Sequence, residues 1–259
     1  MKIIEITSPY DERIIDYKSM KDNLIDSLGN SIFVAEGEKV VLKLLKYNLK
    51  IVSVFAKRSF YSEHFNCFEN FHSTNLFTAN DELLKNIIGF KMHTGVMAIA
   101  HKPEMSDINQ LSDTIVCLNG IVDSENIGSI VRNCVAFGVD SLIYDKTTSS
   151  PYMRRAVRVS LGTIFTMKIY QSFSLINDLN FLKRNNYKII CAEITPNAKS
   201  IYNYHFHSKK IIIFGSEANG INKEILDMSD DIIYIPINEK IESLNVASSS
   251  EIFLSRIFI

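Results

Sequence analysis

Three short segments in the C-terminal half of this chain place polar and charged side chains directly after apolar runs. They are LNGIVDSENIGSIVRN (118–133), FGSEANGI (214–221) and IPINEKIESLNVASSSEI (235–252). None of them contains His or Cys, so the most common proton acceptors near neutral pH are missing. The guanidinium of Arg132 suits the binding of phosphate or of a developing negative charge, and the carboxylate of Glu217 needs a partner at the mouth of an apolar strand. These residue types favour chemistry that depends on positioning and electrostatics.

Most of these residues also have an ordinary structural explanation. Asn126 is placed to cap the helix that starts near it, and Arg132 lies off the apolar stripe of that helix, where a charge is usually solvated. Pro236 could end a strand, and Ser243 could cap the terminal helix. Asn245 has no comparable explanation, because it lies between two apolar residues. One such segment would indicate little, whereas three in one domain predict a single composite pocket.

The glycine pattern argues against the two best-known nucleotide-binding loops. Gly215 and Gly220 lie in GSEANG, which lacks the terminal Lys and Ser/Thr of a P-loop and does not match G-x-G-x-x-G. Their structural explanation is a turn, since glycine adopts positive φ at little cost. The loop is therefore a candidate site without a standard nucleotide signature.

The elements that must position these segments alternate between strand and helix. The predicted strands of the C-terminal half are DTIVCLNG, VDSLIYD, TIFTMKIY, YKIICAEI, KKIIIFG and DDIIYIP. The predicted helices between them are IGSIVRNCVAFG, FSLINDLNFLKRNN and NKEILDMS. This alternation predicts an α/β fold with a mostly parallel sheet covered on both faces. Ligands bind such sheets at the carboxyl ends of the strands, where all three polar segments begin.

The N-terminal half predicts a smaller α/β domain. Residues 1 to about 30 are polar and helical in character, and SIFVAEGEKVVLKLLKYNLKIVSVFAK then predicts strand, helix and strand. ANDELLKNIIGF predicts a helix capped by Asn80, and GVMAIAH predicts a further strand. KPEMSDINQLSD is typical of a linker to the second domain.

Composition limits the class of protein. The 259 residues are 46% hydrophobic, which supports a substantial core, and no apolar run approaches the roughly 18 residues of a membrane span. The N-terminus reaches acidic residues too early for a secretory signal, so we expect a cytoplasmic protein without membrane association. The four cysteines form no C-x-x-C, which speaks against a zinc site and a disulfide framework. The net charge of −1 does not by itself predict a nucleic-acid partner.

Taken together, the three segments resemble the motifs of the SpoU (TrmH-type) RNA 2′-O-ribose methyltransferases of the SPOUT superfamily. The first motif, N-x-G-x-x-x-R, is similar to residues 126–132, and the second, G-x-E-x-x-G-[IL], is similar to residues 215–221. The third, I-P-[MI] followed by S-L-N-V, is similar to residues 235–237 and 243–246. The order, the spacing and the positions at strand ends all agree.

The resemblance implies a particular fold and assembly. Residues 112–259 are expected to form the knotted, mostly parallel sheet of the SPOUT trefoil knot. Residues 1–105 are expected to form an L30e-like domain that binds the RNA substrate. The family also implies a homodimer whose active sites combine residues from both subunits. Glu239 stands where the family commonly has glycine, which leaves the backbone conformation of that loop open.

The resemblance also implies a cofactor, S-adenosylmethionine, and a role for each motif residue; no metal is implied. The cofactor-binding residues would be Gly215, Ile235, Pro236, Leu244 and Val246. The catalytic residues would be Arg132, Glu217, Ser243 and Asn245. The residues that contact RNA would be Asn126 and the arginines of RRAVRVSLGTIF, namely Arg154, Arg155 and Arg158. A free guanidinium hardly deprotonates, so Arg132 is better suited to orient RNA phosphate and stabilise an alkoxide than to act as a base.

The implied activity is methyl transfer to a ribose 2′-hydroxyl of structured RNA, with ribosomal RNA favoured over transfer RNA because of the N-terminal domain. The alternative is a catalytically silent RNA-binding or ribosome-assembly protein on the same scaffold. The four motif residues Arg132, Glu217, Ser243 and Asn245 argue against it, because a silent protein has no physical reason to retain them together. A small-molecule α/β enzyme would need a convergent acid–base pair, and none is evident in the sequence. The target nucleotide is not evident from the sequence.

Overall fold

The structure is a computed structural model, and it describes residues 2–18, 31–47, 49–68, 74–88 and 95–258. These residues form two compact units. The first comprises the described residues within 1–103 together with 152–165, and the second comprises those within 104–151 and 166–259. Segment 152–165 thus belongs to the first unit, whereas the sequence-based boundaries of 1–105 and 112–259 place it with the C-terminal domain. Among the described residues, no helix has the length and apolar character that a membrane span requires.

The elements alternate along the chain, and their bounds are as follows. The strands are β1 (Ile3–Glu5), β2 (Ile32–Glu36), β3 (Ile51–Ala56), β4 (Asn75–Thr78), β5 (Val96–His101), β6 (Thr114–Asn119), β7 (Ser141–Asp145), β8 (Lys168–Ser172), β9 (Lys188–Ala192), β10 (Lys199–Ser200), β11 (Lys210–Gly215) and β12 (Asp231–Tyr234). The α-helices are α1 (Ile15–Lys18), α2 (Glu38–Lys46), α3 (Arg58–Glu63), α4 (Asp81–Ile88), α5 (Ser124–Ala136), α6 (Arg154–Val159), α7 (Leu175–Arg184), α8 (Lys223–Met228) and α9 (Val246–Phe258).

The first unit is built on a mixed five-stranded sheet in the order β1-β4-β3-β5-β2. The strand, helix and strand predicted for residues 31–57 are confirmed, and the apolar face of α2 is buried as its spacing indicates. Asn80 caps α4 as predicted, since its side-chain oxygen accepts from Leu83 N over 2.8 Å. The prediction of helical character for the first thirty residues is wrong at its start, because β1 pairs in parallel with β4. Residues 19–30 lie outside the described residues.

Segment 152–165 packs within the first unit through aromatic and ionic contacts. The ring of Phe33 lies 5.5 Å from that of Tyr152 and 5.6 Å from that of Phe165. Nε of Arg154 contacts the Glu36 carboxylate over 2.9 Å, and both side chains are about one-eighth exposed, at 14% and 12%. Apolar packing and a largely buried ion pair therefore explain why this segment joins the first unit.

The second unit is a seven-stranded sheet in the order β10-β12-β9-β11-β6-β7-β8. Every pair in it is parallel, which confirms the predicted mostly parallel sheet. The strand predicted from TIFTMKIY is shorter than expected, because residues 163–166 form a 3₁₀ turn and β8 begins at Lys168.

Helices cover both faces of this sheet. Alternate residues of a strand point to opposite faces, so Ile213 and Phe214 of β11 contact different layers. Ile213 lies in a buried cluster with Leu179 of α7, whereas the ring of Phe214 lies 5.6 Å from that of Phe253 on α9. The parallel register then brings the carboxyl ends of β6, β7, β9 and β11 to one edge of the sheet. This edge carries the loops that the sequence singled out.

Candidate active site

A cavity of about 180 Å³ opens at the carboxyl edge of the second unit. It lies between the ends of β9, β11 and β12 and the start of α9. Its lining residues are Ala192, Glu193, Ile194, Phe214, Gly215, Ser216, Glu217, Gly220, Ile233, Tyr234, Ile235, Ile237, Ser243, Leu244, Val246, Ser249 and Phe253. The second and third polar segments of the sequence therefore share one cavity.

The cavity combines an apolar interior with polar groups at its border. Phe214, Ile233 and Phe253 are buried and supply apolar surface. Ser216 and Ser243 supply hydroxyl groups. An apolar pocket with a few polar groups is the usual form of a small-molecule site.

The three polar segments of the sequence supply only part of this lining. The third wall comes from the end of β9, at Ala192, Glu193 and Ile194, and this wall was missed. Glu193 follows the apolar run KIICA directly, which is the same signal that identified Glu217 after KKIIIF. Applied to every strand, that signal would have found Glu193.

Glu217 connects the three polar segments through hydrogen bonds. Its Oε1 accepts from Asn126 Nδ2 over 2.6 Å and from Asn245 Nδ2 over 3.1 Å. Asn245 Nδ2 also donates to Asn126 Oδ1 over 3.0 Å. The predicted role of Asn126 as an N-cap is wrong, because Asp123 caps α5 and accepts from Glu125 N over 2.8 Å. Asn126 lies inside the helix and is buried, with its side chain directed at Glu217.

Asn245 has two functions in this structure. Its Oδ1 accepts from Ala247 N over 2.9 Å and from Ser248 N over 3.3 Å, so it caps α9. The view that Asn245 lacks a structural explanation is therefore wrong, as is the expectation that Ser243 caps this helix. Ser243 is exposed and lines the cavity. The cap holds the Asn245 amide in the orientation in which it reaches Glu217.

Two glycines allow the second polar segment to fold closely upon itself. A Cβ at Gly215 would lie 2.3 Å from the carbonyl carbon of Gly220, a contact that no side chain can make. Gly220 has a φ of +65°, and Gly220 N donates to Ser216 O over 2.8 Å to close the turn. A Cβ at Gly220 would also lie 2.5 Å from Oε2 of Glu193. Turn geometry and close packing against β9 thus both explain this glycine pair.

Asp145, at the end of β7, organises the neighbouring loops. Its carboxylate accepts from Asn119 Nδ2 over 2.9 Å, from Gly120 N over 3.1 Å and from Thr147 Oγ1 over 2.7 Å. Thr148 contributes both its backbone N and its hydroxyl, over 2.9 and 2.6 Å. Burial acts to raise the pKa of Asp145, but these hydrogen bonds hold it below the ordinary value. Asn119 Oδ1 in turn accepts from Asn222 N over 2.9 Å, which links this group to the loop after β11.

Replacing Asp145 by Ala is expected to destabilise the second unit by about 2–4 kcal/mol at pH 7, because several buried donors lose their acceptor. The pKa of Asp145 in the folded state lies below the ordinary 3.8. The contribution of its carboxylate to the free energy of unfolding is therefore complete above pH 3.8 and is lost as the pH falls through the folded-state pKa. The difference in the free energy of unfolding between wild type and Asp145→Ala should therefore become smaller as the pH falls below about 4. Urea unfolding across pH 3–7 measures this. Asp227→Ala, which removes an exposed carboxylate on α8, is the control and should change stability by less than about 0.5 kcal/mol.

Arg132 is the one predicted catalytic residue that lies away from the cavity and from the Glu217 hydrogen bonds. It is exposed on α5, and its side chain has no hydrogen bond or ion pair to any described residue. Its neighbour Asn133 faces α9, where Nδ2 donates to Ala247 O and Ser250 Oγ, each over 3.0 Å. Pro236 is exposed beside Ile235 and does not line the cavity.

The three arginines predicted to contact RNA lie on α6, in the first unit. Arg154 is paired with Glu36, as described above, and Nη1 of Arg158 lies 3.5 Å from the same carboxylate. Arg155 and Arg158 are exposed, whereas Arg154 is partly buried.

Comparisons with known proteins extend these observations. An uncharacterized tRNA/rRNA methyltransferase from Mycobacterium bovis is 25% identical over 261 residues, which cover 96% of this chain and 90% of the relative. A solved AdoMet-bound rRNA methyltransferase from Sinorhizobium meliloti has a TM-score of 0.85 and 21% identity, over 98% of this chain and 97% of that one. A solved RNA 2′-O ribose methyltransferase has a TM-score of 0.76 and 19% identity, over 98% of this chain and 97% of that one. The fold is therefore that of these enzymes in both units.

Family membership rests on the sequence profile. The profile described as the SpoU rRNA Methylase family matches residues 113–255, more than half of the chain. The matched range contains all three polar segments and every residue that lines the cavity. The chain therefore belongs to the SpoU rRNA methylase family, a family of RNA methyltransferases.

Proposed function

We propose that this protein transfers the methyl group of S-adenosylmethionine to a ribose 2′-hydroxyl of structured RNA, with ribosomal RNA as the favoured substrate. The observation that carries the proposal is the hydrogen-bonded group of Asn126, Glu217 and Asn245. It ties one residue from each polar segment together beside the cavity. Helix capping does not account for the whole group, because Asp123 caps α5 and Asn245 Oδ1 caps α9, whereas Asn126 and Glu217 take part in neither cap.

The cavity suits S-adenosylmethionine. The cofactor combines a flat base with a polar sugar and a charged chain, and the cavity offers apolar walls bordered by hydroxyl and carboxylate groups. Gly215 and Ile235 lie at the ends of β11 and β12, and Leu244 lies just before α9. Backbone N–H and C=O groups at these positions would bind an adenine edge. Val246 contributes apolar surface, and Pro236 restricts the backbone beside Ile235. When bound, the cofactor supplies an electrophilic methyl group on a sulfonium.

The residues of the chain would act mainly by positioning. An in-line displacement gains much of its rate from the alignment of the reacting groups. Glu217 and Asn245 fix the loops that define the cavity, and the hydroxyl of Ser243 is available at its border to orient RNA. The guanidinium of Arg132 would orient a phosphate and stabilise the developing alkoxide. The proton of the 2′-hydroxyl would pass to phosphate or water.

We propose further that the active protein is a homodimer in which Arg132 serves the cavity of the other subunit. Two features support this arrangement. Arg132 does not line the cavity of its own chain and is exposed. Val122 and Phe258, at the start of the α5 segment and the end of α9, expose apolar surface that a second copy could cover, at 69% and 65% exposure. The trefoil knot is part of the same proposal and would hold segments 215–221 and 235–246 together.

The first unit would bind RNA, as the L30e-like domain does in the family that the sequence resembles. The solved rRNA methyltransferase that shares this fold matches over both units, which supports ribosomal RNA over transfer RNA. Arg155 and Arg158 are exposed on α6 and would contact phosphates, whereas Arg154 would stabilise the unit through Glu36.

Charge reversal separates these two roles. Arg155→Glu and Arg158→Glu are each expected to weaken RNA binding and to reduce the salt slope of log K by about 1. Arg158→Glu should also lower the melting temperature, because Nη1 of Arg158 lies 3.5 Å from the Glu36 carboxylate. Arg154→Glu places a second carboxylate beside Glu36, so its main effect should be a lower melting temperature. Filter binding at several salt concentrations and thermal unfolding measure the two effects. Arg184→Glu, at the exposed end of α7 in the second unit, is the control. An unchanged salt slope in the first two variants would remove α6 from the RNA interface.

The test of the function is a map of 2′-O-methylation in total RNA from cells with and without the protein. We expect one or a few ribose methylations to disappear from ribosomal RNA and to return with the wild-type gene. Loss of a mark from transfer RNA would change the substrate class. Retention of every mark, together with no binding of S-adenosylmethionine in calorimetry, would favour the silent assembly protein instead.

A further inference from the structure

The charged groups that line the cavity are all negative. Glu193 and Glu217 are the acidic lining residues, and no Lys, Arg or His occurs among the described residues of the lining. The N-terminus of α9 opposes them with only about half a positive charge. The lining that a single chain contributes therefore carries a net negative charge.

Glu193 is held in place by backbone groups of two loops. Its Oε2 accepts from Ile221 N over 3.0 Å, and its Oε1 accepts from Ile194 N over 3.1 Å. Gly220 packs against the same carboxylate, so the side chain has little freedom to move away. Each carboxylate oxygen has two lone pairs, and these contacts use one of each. The Glu193 carboxylate thus stays on the cavity wall with its charge uncompensated by any described cation of the lining.

Glu217 is placed differently. Its Oε1 receives hydrogen bonds from two asparagine amides, and those bonds join the loops. Removal of Glu217 would disturb the architecture of the site as well as its charge. A substitution of Glu193 therefore tests the effect of the cavity's charge separately from the effect of the Glu217 hydrogen bonds that join the loops.

The proposed reaction changes the charge of the cofactor. The methyl carbon forms a bond to the ribose oxygen, and the electron pair of its bond to sulfur stays on sulfur. The proton of the hydroxyl leaves to phosphate or water. The sulfonium cation thereby becomes the neutral thioether of S-adenosylhomocysteine, so the cofactor loses one positive charge.

We infer that Glu193 is a specificity-determining residue that makes the cavity prefer the cationic cofactor over its neutral product. This inference rests on the proposed function. A carboxylate on the wall stabilises the sulfonium form and gives the thioether no such stabilisation. The product would consequently leave more readily than an uncharged cavity would allow.

The test is calorimetric titration of the full chain with S-adenosylmethionine, S-adenosylhomocysteine and sinefungin, an unreactive analogue that carries an ammonium near the sulfonium position. For Glu193→Gln, we expect the affinity for S-adenosylmethionine, divided by the affinity for S-adenosylhomocysteine, to fall about five- to tenfold. Removal of one nearby charge in a partly hydrated site predicts a change of this size. Sinefungin should behave like the cationic cofactor. Glu193→Asp keeps the charge, but its shorter side chain reaches less far towards Ile221 N. It should therefore lower the affinity for all three ligands and leave the ratio of those affinities unchanged.

Two control measurements complete the design. Glu224→Gln removes an exposed carboxylate on α8 that does not line the cavity, and it should leave the ratio unchanged. If it shifts the ratio as Glu193→Gln does, the overall charge of the protein is responsible and the inference is overturned. If Glu193→Gln lowers the affinity for all three ligands by the same factor, Glu193 has a purely structural role, and the inference is overturned. Wild-type protein that binds no ligand would overturn the proposed function together with the inference.

Discussion

Arg132→Ala is expected to lower the rate of methyl transfer by about a hundred- to a thousandfold, as loss of a group that stabilises developing negative charge usually does. The affinity for S-adenosylmethionine should stay within about twofold of wild type, because the proposed partners of Arg132 are the RNA phosphate and the developing alkoxide, which are absent when the cofactor binds alone. Single-turnover kinetics and calorimetry measure the two quantities. Wild-type turnover in this variant would remove Arg132 from the mechanism.

The proposed homodimer adds a sharper expectation for the same residue. If Arg132 acts in the other subunit, Arg132→Ala and Glu217→Gln disable different halves of each composite site. Co-expression of the two inactive variants should then restore activity to about a quarter of wild type, because half of the dimers are mixed and each mixed dimer has one intact site. The matched control combines Glu217→Gln with Asn245→Ala. Both changes lie on the same side of the site, so no activity should return.

These mixtures distinguish assembly from chemistry. Recovery in the first mixture and none in the control would place Arg132 across a subunit interface. No recovery in either, with a normal dimer in size-exclusion chromatography, would mean that Arg132 acts within its own chain or not at all. The Arg132→Lys variant keeps the charge but loses the planar pair of donors, so it should recover only part of the rate.

Gly215→Ala is expected to abolish cofactor binding, with a loss of affinity greater than about a hundredfold. The added Cβ would lie 2.3 Å from the carbonyl carbon of Gly220 and 2.4 Å from Ile221 N, and backbone atoms cannot rotate away as a side chain can. Segment 215–221 must therefore shift, and that segment carries Glu217. Because a misplaced binding loop commonly costs about two orders of magnitude or more, calorimetry should detect no binding at ordinary concentrations.

The control for this prediction is Ala218→Ser. Residue 218 is exposed in the same loop and does not line the cavity, so one added atom there should leave affinity unchanged. Thermal unfolding of both variants distinguishes a local shift from global unfolding. Cofactor affinity equal to wild type in Gly215→Ala would mean that the loop does not pack as the structure shows.

Much of the second unit could be predicted from sequence, because its signals are local and strong. The apolar runs of β6, β9 and β11 are continuous, and α-helices lie between β6 and β9, which is the pattern of a buried parallel sheet. The polar segments at the strand ends then share an edge by geometry alone, and two of them do line one cavity. The grouping of a glutamate with two asparagines needed the coordinates, because their separation in sequence carries no distance information.

The errors have common physical causes. Asn126 and Asp123 are both good helix caps, and only the tertiary partner at Glu217 decides which of them caps. β1 is three residues long and is stabilised by its pairing with β4, so its sequence gives little local signal. Segment 152–165 has apolar residues that pack on a core, but the sequence does not show which core. The buried carboxylate of Asp145 ends an ordinary strand, and nothing in the sequence distinguishes it from an exposed one.

The strand order of the second unit has a consequence for synthesis in the cell. β6 pairs with β7, which follows it closely, but its other neighbour is β11, with Thr114 opposite Lys210. In a nascent chain, the backbone N–H and C=O groups along one edge of β6 therefore have no strand to pair with until β11 has left the ribosome. Sheets closed by such distant segments mature slowly, and an uncovered edge invites pairing with other chains. The production of this protein should accordingly depend on chaperones and suffer more from slow translation, which prolongs the exposure of this edge, than from small losses of equilibrium stability.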